Sequence, residues 1–261
     1  MTEDEISWEE RSRYFGASLQ GVLFKNLPEV LNEHIHNWHL YVIDKFIQSK
    51  QPKTLLDVGC GYGRISGALM KKFPSLQTVG LDISTHYIEF YHRRLNRPAY
   101  VASIENLPDD LGQFDCILVV TVLMYLDKEK LHENLSQLWS HLKEDGSLII
   151  IEPHCSGRIF QNPFGIKTLF CKKQQQVNTG GDCFKNGEID RLIQKVGGKL
   201  TKQLRMPMTT VCIIPLYVLA KVLPEKIYFV ILKFFFYLDK YLGRLLLPSL
   251  HSAYLVNKIK L

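Results

Sequence analysis

Two hydrophobic rhythms alternate along this chain. Short, nearly continuous apolar runs lie at 54–58, 77–81, 99–102, 114–120 and 147–152. Runs of that length predict strands covered on both faces, as in a parallel sheet. Between them, apolar positions recur every three or four residues. Tyr87, Ile88, Tyr91 and Leu95 share a helical face after Ser84. Leu131, Leu135, Leu138, Trp139 and Leu142 form a second stripe, which Asp145-Gly146 is expected to stop. Further on, Ile189, Leu192, Ile193 and Val196 mark a helix over 186–196 ended by Gly197-Gly198, and strands are expected over 199–205 and 253–259. The alternation predicts an α/β fold, a doubly wound seven-stranded sheet of parallel strands with an antiparallel last strand.

Two segments do not share that alternation. Residues 1–50 read as an N-terminal helical cap carrying Val30, Leu31, His34, Trp38, Tyr41, Val42 and Ile43. Residues 207–251 read as an apolar helical insertion between strands six and seven, so the core is expected over 51–206 and its last strand over 252–261. Neither apolar run of the insertion, 211–219 or 227–237, reaches the roughly 20 residues needed to span a bilayer. On a helical wheel Lys226, Lys233, Tyr237, Lys240 and Arg244 share a narrow arc, with Phe229, Leu232, Phe236, Leu245 and Leu246 on the wider apolar surface. Such a helix lines an apolar pocket, lies in a membrane interface, or covers the sheet.

The chemistry concentrates where the first strand ends. Asp57-Val58-Gly59-Cys60-Gly61-Tyr62-Gly63-Arg64 places a carboxylate at a strand end, then glycines at every second position, then the start of a helix. A turn this bare lets a ligand lie against the backbone. Asp82 closes the next apolar run about 20 residues beyond the turn, where an acid can grip a ribose diol. The spacing differs from the G-x-G-x-x-G of dinucleotide sites. Asp57 would also repel a pyrophosphate, while it suits the ammonium of an amino-acid-bearing nucleoside, and both points disfavour a nicotinamide-dependent oxidoreductase.

The segment from Asp57 to Gly63 closely resembles motif I of the class I S-adenosylmethionine-dependent methyltransferases. That resemblance implies a Rossmann-like fold and S-adenosylmethionine as cofactor. It also implies that Asp57, Gly59, Gly61 and Gly63 serve the methionine side, that Asp82 and Ile83 serve the ribose, and that Ser103, Ile104 and Glu105 serve the adenine. Many relatives carry an acid at the place of Ser103, so a weaker contact is expected there. Thr121 opens the segment that resembles the methionine-facing wall after strand four. The cap, by the same resemblance, helps to close the site. DNA adenine and glutamine amide acceptors usually come with an Asn/Asp-Pro-Pro-Tyr/Phe motif, where this chain has Thr121-Val122-Leu123.

A hydroxyl acceptor needs a base, and of the nine histidines His154, His86 and His36 fall near the expected ligand edge. His154, after Glu152-Pro153, is the expected catalytic residue, with Glu152 either orienting it or satisfying backbone donors. The net charge of +6 is only mildly basic, and no nucleic-acid-binding pattern accompanies it, so no nucleic-acid partner is expected. The six cysteines show no C-x-x-C pair, so they read as thiols of a reducing compartment without a structural metal. The acidic N-terminus does not read as a secretory signal, which suggests the cytoplasm or the inner face of a membrane. The leading expectation is a methyltransferase for a small, apolar or lipid-linked acceptor, acting on oxygen. The alternative is an inactive methyltransferase-like binding module at a membrane surface.

Overall fold

The structure is a computed structural model that describes residues 3–161, 181–245 and 247–258. Helices α1 (Glu3–Phe15), α2 (Leu19–Val22) and α3 (Glu29–Lys50) precede β1 (Thr54–Val58). Then follow α4 (Arg64–Lys72), β2 (Gln77–Asp82), α5 (Thr85–Leu95), β3 (Ala99–Val101) and β4 (Phe114–Val120). A 3-10 turn (Leu123–Tyr125) leads to α6 (Leu131–Ser140), β5 (Leu142–Pro153) and α7 (Cys155–Gln161). The rest is α8 (Glu188–Lys195), β6 (Gly198–Arg205), α9 (Pro207–Val211), α10 (Ile213–Val222), α11 (Glu225–Leu242) and β7 (His251–Lys258).

The strands form one sheet in the order β3-β2-β1-β4-β5-β7-β6, parallel except for β7, which runs antiparallel to both neighbours. The order reverses between β1 and β4, and the crevice at their carboxyl ends is where a doubly wound sheet takes its ligands. Alternation along each strand feeds two cores. Leu56, Ile117, Val119 and Ile150 meet Leu135 and Leu138 of α6 and Ile189 and Ile193 of α8 on one face. Leu55, Leu118, Ile149 and Ile151 meet Trp38, Val42 and Phe46 of α3 and Ile65 and Leu69 of α4 on the other. The long helix of the N-terminal segment is therefore a structural layer of the sheet.

The expected stop at Asp145-Gly146 is instead an irregularity inside β5. Leu142 pairs with Phe114 and Ser147 with Cys116, so six residues of β5 face three of β4. Asp145 takes φ of 63°, and a β-carbon at Gly146 would come 2.8 Å from Leu142 Cγ. Leu142 belongs to the strand because it is fully buried against β4, which outweighs its place in the helical stripe. Strand seven also begins two residues earlier than the apolar pattern suggests, at His251, and residue 259 lies outside the described ones.

Helices α9, α10 and α11 stand between β6 and β7. Of these, α10 and α11 share a core of Leu31, Ile213, Leu216, Tyr228, Leu232 and Leu250 with the start of α3. Asp239 of α11, 1 % exposed, accepts from the amides of Met208 (2.6 Å) and Thr209 (3.2 Å) and from the Thr209 hydroxyl. His34 Nε2 donates to that hydroxyl across 2.8 Å, tying α3 into the same cluster. This arrangement caps the orphan amides of α9 from a neighbouring helix. Leu246, which the sequence pattern puts on the apolar surface, lies outside the described residues.

The cysteines depart from the expectation of free thiols. Cys155 and Cys183 are joined by a disulfide across a Cα–Cα distance of 5.0 Å, while Cys60 and Cys116 are buried thiols. The spacing of 28 residues gives no local motif, and only the return of the chain beside the exit of β5 brings the pair together. Closing a loop of that length stabilises by roughly 2–4 kcal/mol through the unfolded state. Non-reducing peptide mapping should recover the Cys155–Cys183 link, and Cys155→Ser should lower the unfolding free energy in denaturant by about that amount.

Candidate functional site

The turn after β1 is held by its neighbour strand. The amides of Gly59 (2.7 Å) and Cys60 (3.0 Å) both donate to the Leu81 carbonyl, which closes the turn over the end of β2. Gly59, Gly61 and Gly63 take φ of 66°, 52° and 76°, the left-handed region that favours glycine. The reasons differ by position. A β-carbon on Gly59 would lie 2.3 Å from Val122 Cγ2, and one on Gly63 would lie 2.6 Å from Leu95 Cδ1. At Gly61 the nearest atom, Val22 Cγ1, would be at 3.1 Å.

Beside this turn lies a cavity of about 310 Å³ at the carboxyl ends of β1, β2 and β4. Of the residues expected to serve a cofactor, Gly59, Gly61, Asp82, Ile83, Ser103, Ile104, Glu105 and Thr121 line it. Asp82 accepts from the Gly61 amide through Oδ2 (2.8 Å) and from the Ser84 amide through Oδ1 (3.0 Å). Each oxygen keeps capacity for a further donor from the cavity. Burial pushes its carboxyl up to about 6, against those amides.

Asp57 and Gly63 do not line the cavity. Asp57 sits behind the turn, 3 % exposed, and accepts from Ser66 Oγ across 2.6 Å. Burial pushes it up to about 6 as well, with Ser66 and the nearby Arg64 guanidinium pulling it down. Gly63 is a packing glycine at the start of α4.

Trp8, which lines this cavity, and Arg11 behind it had no signal in the sequence. Trp8 of α1 faces Tyr125 edge-on at 5.1 Å, and both reach the cavity. Arg11 fastens this roof through the carbonyls of Gly21 (2.7 Å), Gln20 (3.1 Å) and Leu23 (2.9 Å). Glu9 accepts from Ser84 Oγ (2.8 Å) and the His86 amide (3.2 Å), so α1 is docked onto the loop that follows Asp82. The acidic, polar character of the first residues conceals this role.

A second cavity of about 400 Å³ adjoins the first, and Val22, Thr121 and Tyr125 line both. Ile213, Ile214 and Tyr217 of α10 and Leu250 form part of its wall, and α11 contributes nothing to it. Thr121 sits at the junction with φ of 56°, an unusual conformation for a β-branched residue and one that collects at functional sites. The turn beyond Thr121 is fixed by Glu152, which accepts from the amides of Val122 (2.9 Å), Leu123 (2.8 Å) and Met124 (3.3 Å). Burial drives its carboxyl up to about 8 while the three amides draw it back. Glu152 thus serves backbone donors and does not orient a histidine.

His154 lines the second cavity, but its ring is occupied. Nδ1 lies 2.7 Å from Ser156 Oγ, and Nε2 lies 3.0 Å from Asn186 Oδ1, which also accepts from Arg205 Nη2 across 2.6 Å. Burial and the Arg205 charge lower its basicity. These partners make the ring a brace between the end of β5, α7 and the start of β6's exit, with no nitrogen left for an acceptor. His86 and His36 each engage Nδ1, with Ser12 (3.3 Å) and Arg64 (2.8 Å), and neither lines either cavity.

Residues 55–146 match the family described as Methyltransferase domain. A tRNA N(3)-methylcytidine methyltransferase of Schizosaccharomyces pombe is 28% identical over 127 residues, 45% of this chain and 51% of its own. A malonyl-[acyl-carrier protein] O-methyltransferase of Halalkalibacterium halodurans is 27% identical over 145 residues, 52% of each chain. The chain spans about half the length of the curated relatives it matches. The plantazolicin methyltransferase BpumL, solved in complex with SAH, shares the fold with a TM-score of 0.58 at 16% identity, over 98% of this chain and 96% of that one. The glycine turn with its two acids, the sheet order and the Methyltransferase domain matched over residues 55–146 agree, and the chain has the fold of the class I S-adenosylmethionine-dependent methyltransferases.

Proposed function

We propose that the chain transfers a methyl group from S-adenosylmethionine to an oxygen of a small, apolar acceptor. The observation that carries this reading is the pair of adjoining cavities that meet at Thr121 and Tyr125. The residues beside the glycine turn fit the cofactor: Asp82 offers carboxylate oxygens to a ribose diol, and Ser103, Ile104 and Glu105 form an edge for the adenine. Asp57 offers buried negative charge behind Gly59 and Gly61 for the amino-acid portion. When bound, the cofactor supplies an activated methyl group on a sulfonium centre, and the protein's contribution is alignment and exclusion of water. Trp8 and Tyr125 roof the place where the two cavities meet.

The relatives differ in the acceptor they methylate. The names of these relatives include a tRNA base and an acyl-carrier-bound malonyl group. The apolar wall from α10 favours an apolar acceptor here. S-Adenosylmethionine titration followed by a labelled-methyl transfer screen on lipid and aqueous extracts tests the reading. Absence of cofactor binding in a folded protein would leave the alternative of a binding module without turnover.

A lipid surface is the second part of this proposal. Ile227, Val230, Phe234, Tyr237 and Tyr241 of α11 are 53–77% exposed and recur every three or four residues as one outward stripe. Lys226, Lys233 and Lys240 are exposed along one flank of it, and Val218 and Val222 of α10 extend the apolar area. Among the described residues no helix is long and apolar enough to cross a membrane. An apolar stripe with a basic border fits a helix lying in the interface of an anionic bilayer.

Four outcomes are expected. Cofactor affinity should hold between pH 7 and 8 and fall as the pH drops through about 6, since protonating Asp82 or Asp57 removes an acceptor or a compensating charge. Asp82→Ala should weaken binding at neutral pH by ~2–4 kcal/mol, and calorimetry across pH reads both effects. Anionic vesicles should pull the protein down at low salt, with each basic residue contributing about 1 kcal/mol, and release it at high salt. Phe234→Glu should abolish the sedimentation, and equal recovery with and without vesicles would return the stripe to another partner.

A further inference from the structure

A row of buried nitrogen groups connects the two cavities. Arg64, which lines the cofactor cavity, is 7 % exposed and directs Nη1 to His36 Nδ1 (2.8 Å) and Nη2 to His39 Nδ1 (3.4 Å). His39 Nε2 lies 2.9 Å from His251 Nδ1. His251, the first residue of β7, lines the acceptor cavity and stacks on Phe24 at 5.7 Å. Its remaining nitrogen, Nε2, has no partner among the described residues, although the residue is only 2 % exposed.

The direction of every hydrogen bond in the row follows from its first member. A guanidinium only donates, so His39 Nδ1 accepts and its proton sits on Nε2. That proton is donated to His251 Nδ1, which leaves the His251 proton on Nε2, facing the cavity. Burial and the Arg64 charge hold His39 and His251 far below ordinary histidine basicity, so both rings stay neutral. A neutral ring fixed in this tautomer donates a hydrogen bond and does not take a proton.

We propose that His251 is the positioning residue of the acceptor cavity, with its Nε2–H donating to an oxygen of an apolar acid whose anionic oxygen receives the methyl group. This rests on the methyltransferase reading above and narrows its acceptor class to carboxylates and kindred oxyanions. The charges around the cavity agree. Arg11, Lys25 and Arg158 line it against one acid, Asp182, which already lies 3.7 Å from Lys128. An oxyanion forms the new C–O bond as the C–S bond breaks, the bonding pair goes to sulfur, and no proton has to be removed. That chemistry suits a cavity whose two lining histidines offer no base.

The test uses decanoate and decanol as size-matched probes on the full chain saturated with S-adenosylhomocysteine. Decanoate should bind at least about tenfold tighter than decanol, a preference typical of one charge-assisted hydrogen bond in a buried site. His251→Leu should erase the preference, and His251→Gln, which keeps a donor on a side chain of similar reach, should restore most of it. Cofactor affinity and the melting temperature of each variant serve as controls on folding. Nitrogen-15 NMR of histidine-labelled protein reads the tautomers directly, and both His39 and His251 should carry the proton on Nε2. Equal binding of the two probes, no binding of either, or a His251 proton on Nδ1 would overturn the proposal. Failure of S-adenosylhomocysteine to bind would instead strike the underlying methyltransferase reading, while the tautomer measurement would still judge His251.

Discussion

There is no room for a β-carbon between Gly59 and Val122, and the site is built around that close approach. Because the turn after β1 can fold flat against the exit of β4, its amides reach the Leu81 carbonyl and Asp82 is brought to the edge of the turn. Val122 is held in turn by the Glu152 carboxylate, so three strand ends are locked to one another by one contact and one buried acid. The cavity on the other side of the turn is the space that this locking leaves open. A valine at position 59 would therefore act first through backbone strain and displacement of Val122, before any ligand is considered.

The burial of charge follows the same economy of partners. Asp57, Asp82, Glu152 and Asp239 are all nearly inaccessible, and each is met by amides or hydroxyls of the turn or helix it organises. Such carboxylates stabilise by satisfying backbone donors that would otherwise be stranded away from water. Their desolvation is offset in part by these donors, and burial still raises all four carboxyls above the ordinary range.

The parts of this architecture legible in the sequence are those governed by local pattern. The strands at 54–58 and 114–120 stand out because both faces are buried, and the glycine turn stands out because its conformation excludes side chains. The remainder depends on contacts between distant segments. Nothing near Trp8 or Arg11 indicates that α1 folds over the end of β2, since the helix docks through hydrogen bonds and one aromatic edge rather than an apolar stripe. His154 follows a strand end just as a catalytic base would, yet Ser156, Asn186 and Arg205 claim its ring from three other places in the chain. His251 belongs to a strand that the pattern starts two residues later, and its link to His39 spans more than two hundred residues. The histidine that keeps a nitrogen for the cavity and the one whose ring is fully engaged are indistinguishable until the chain is folded.

The Cys155–Cys183 bond lies on the rim of the second cavity, next to His154 and Asp182, and it changes what sequence drift can do there. A covalent clasp at both ends of a segment fixes the distance between those ends, whatever lies between them. Residues could be gained or lost inside the clasp at a cost of only about 0.6 kcal/mol for each doubling of length, without spreading the rim. The wall that carries His154 and Asp182 thus keeps its spacing through a covalent bond rather than through packing alone.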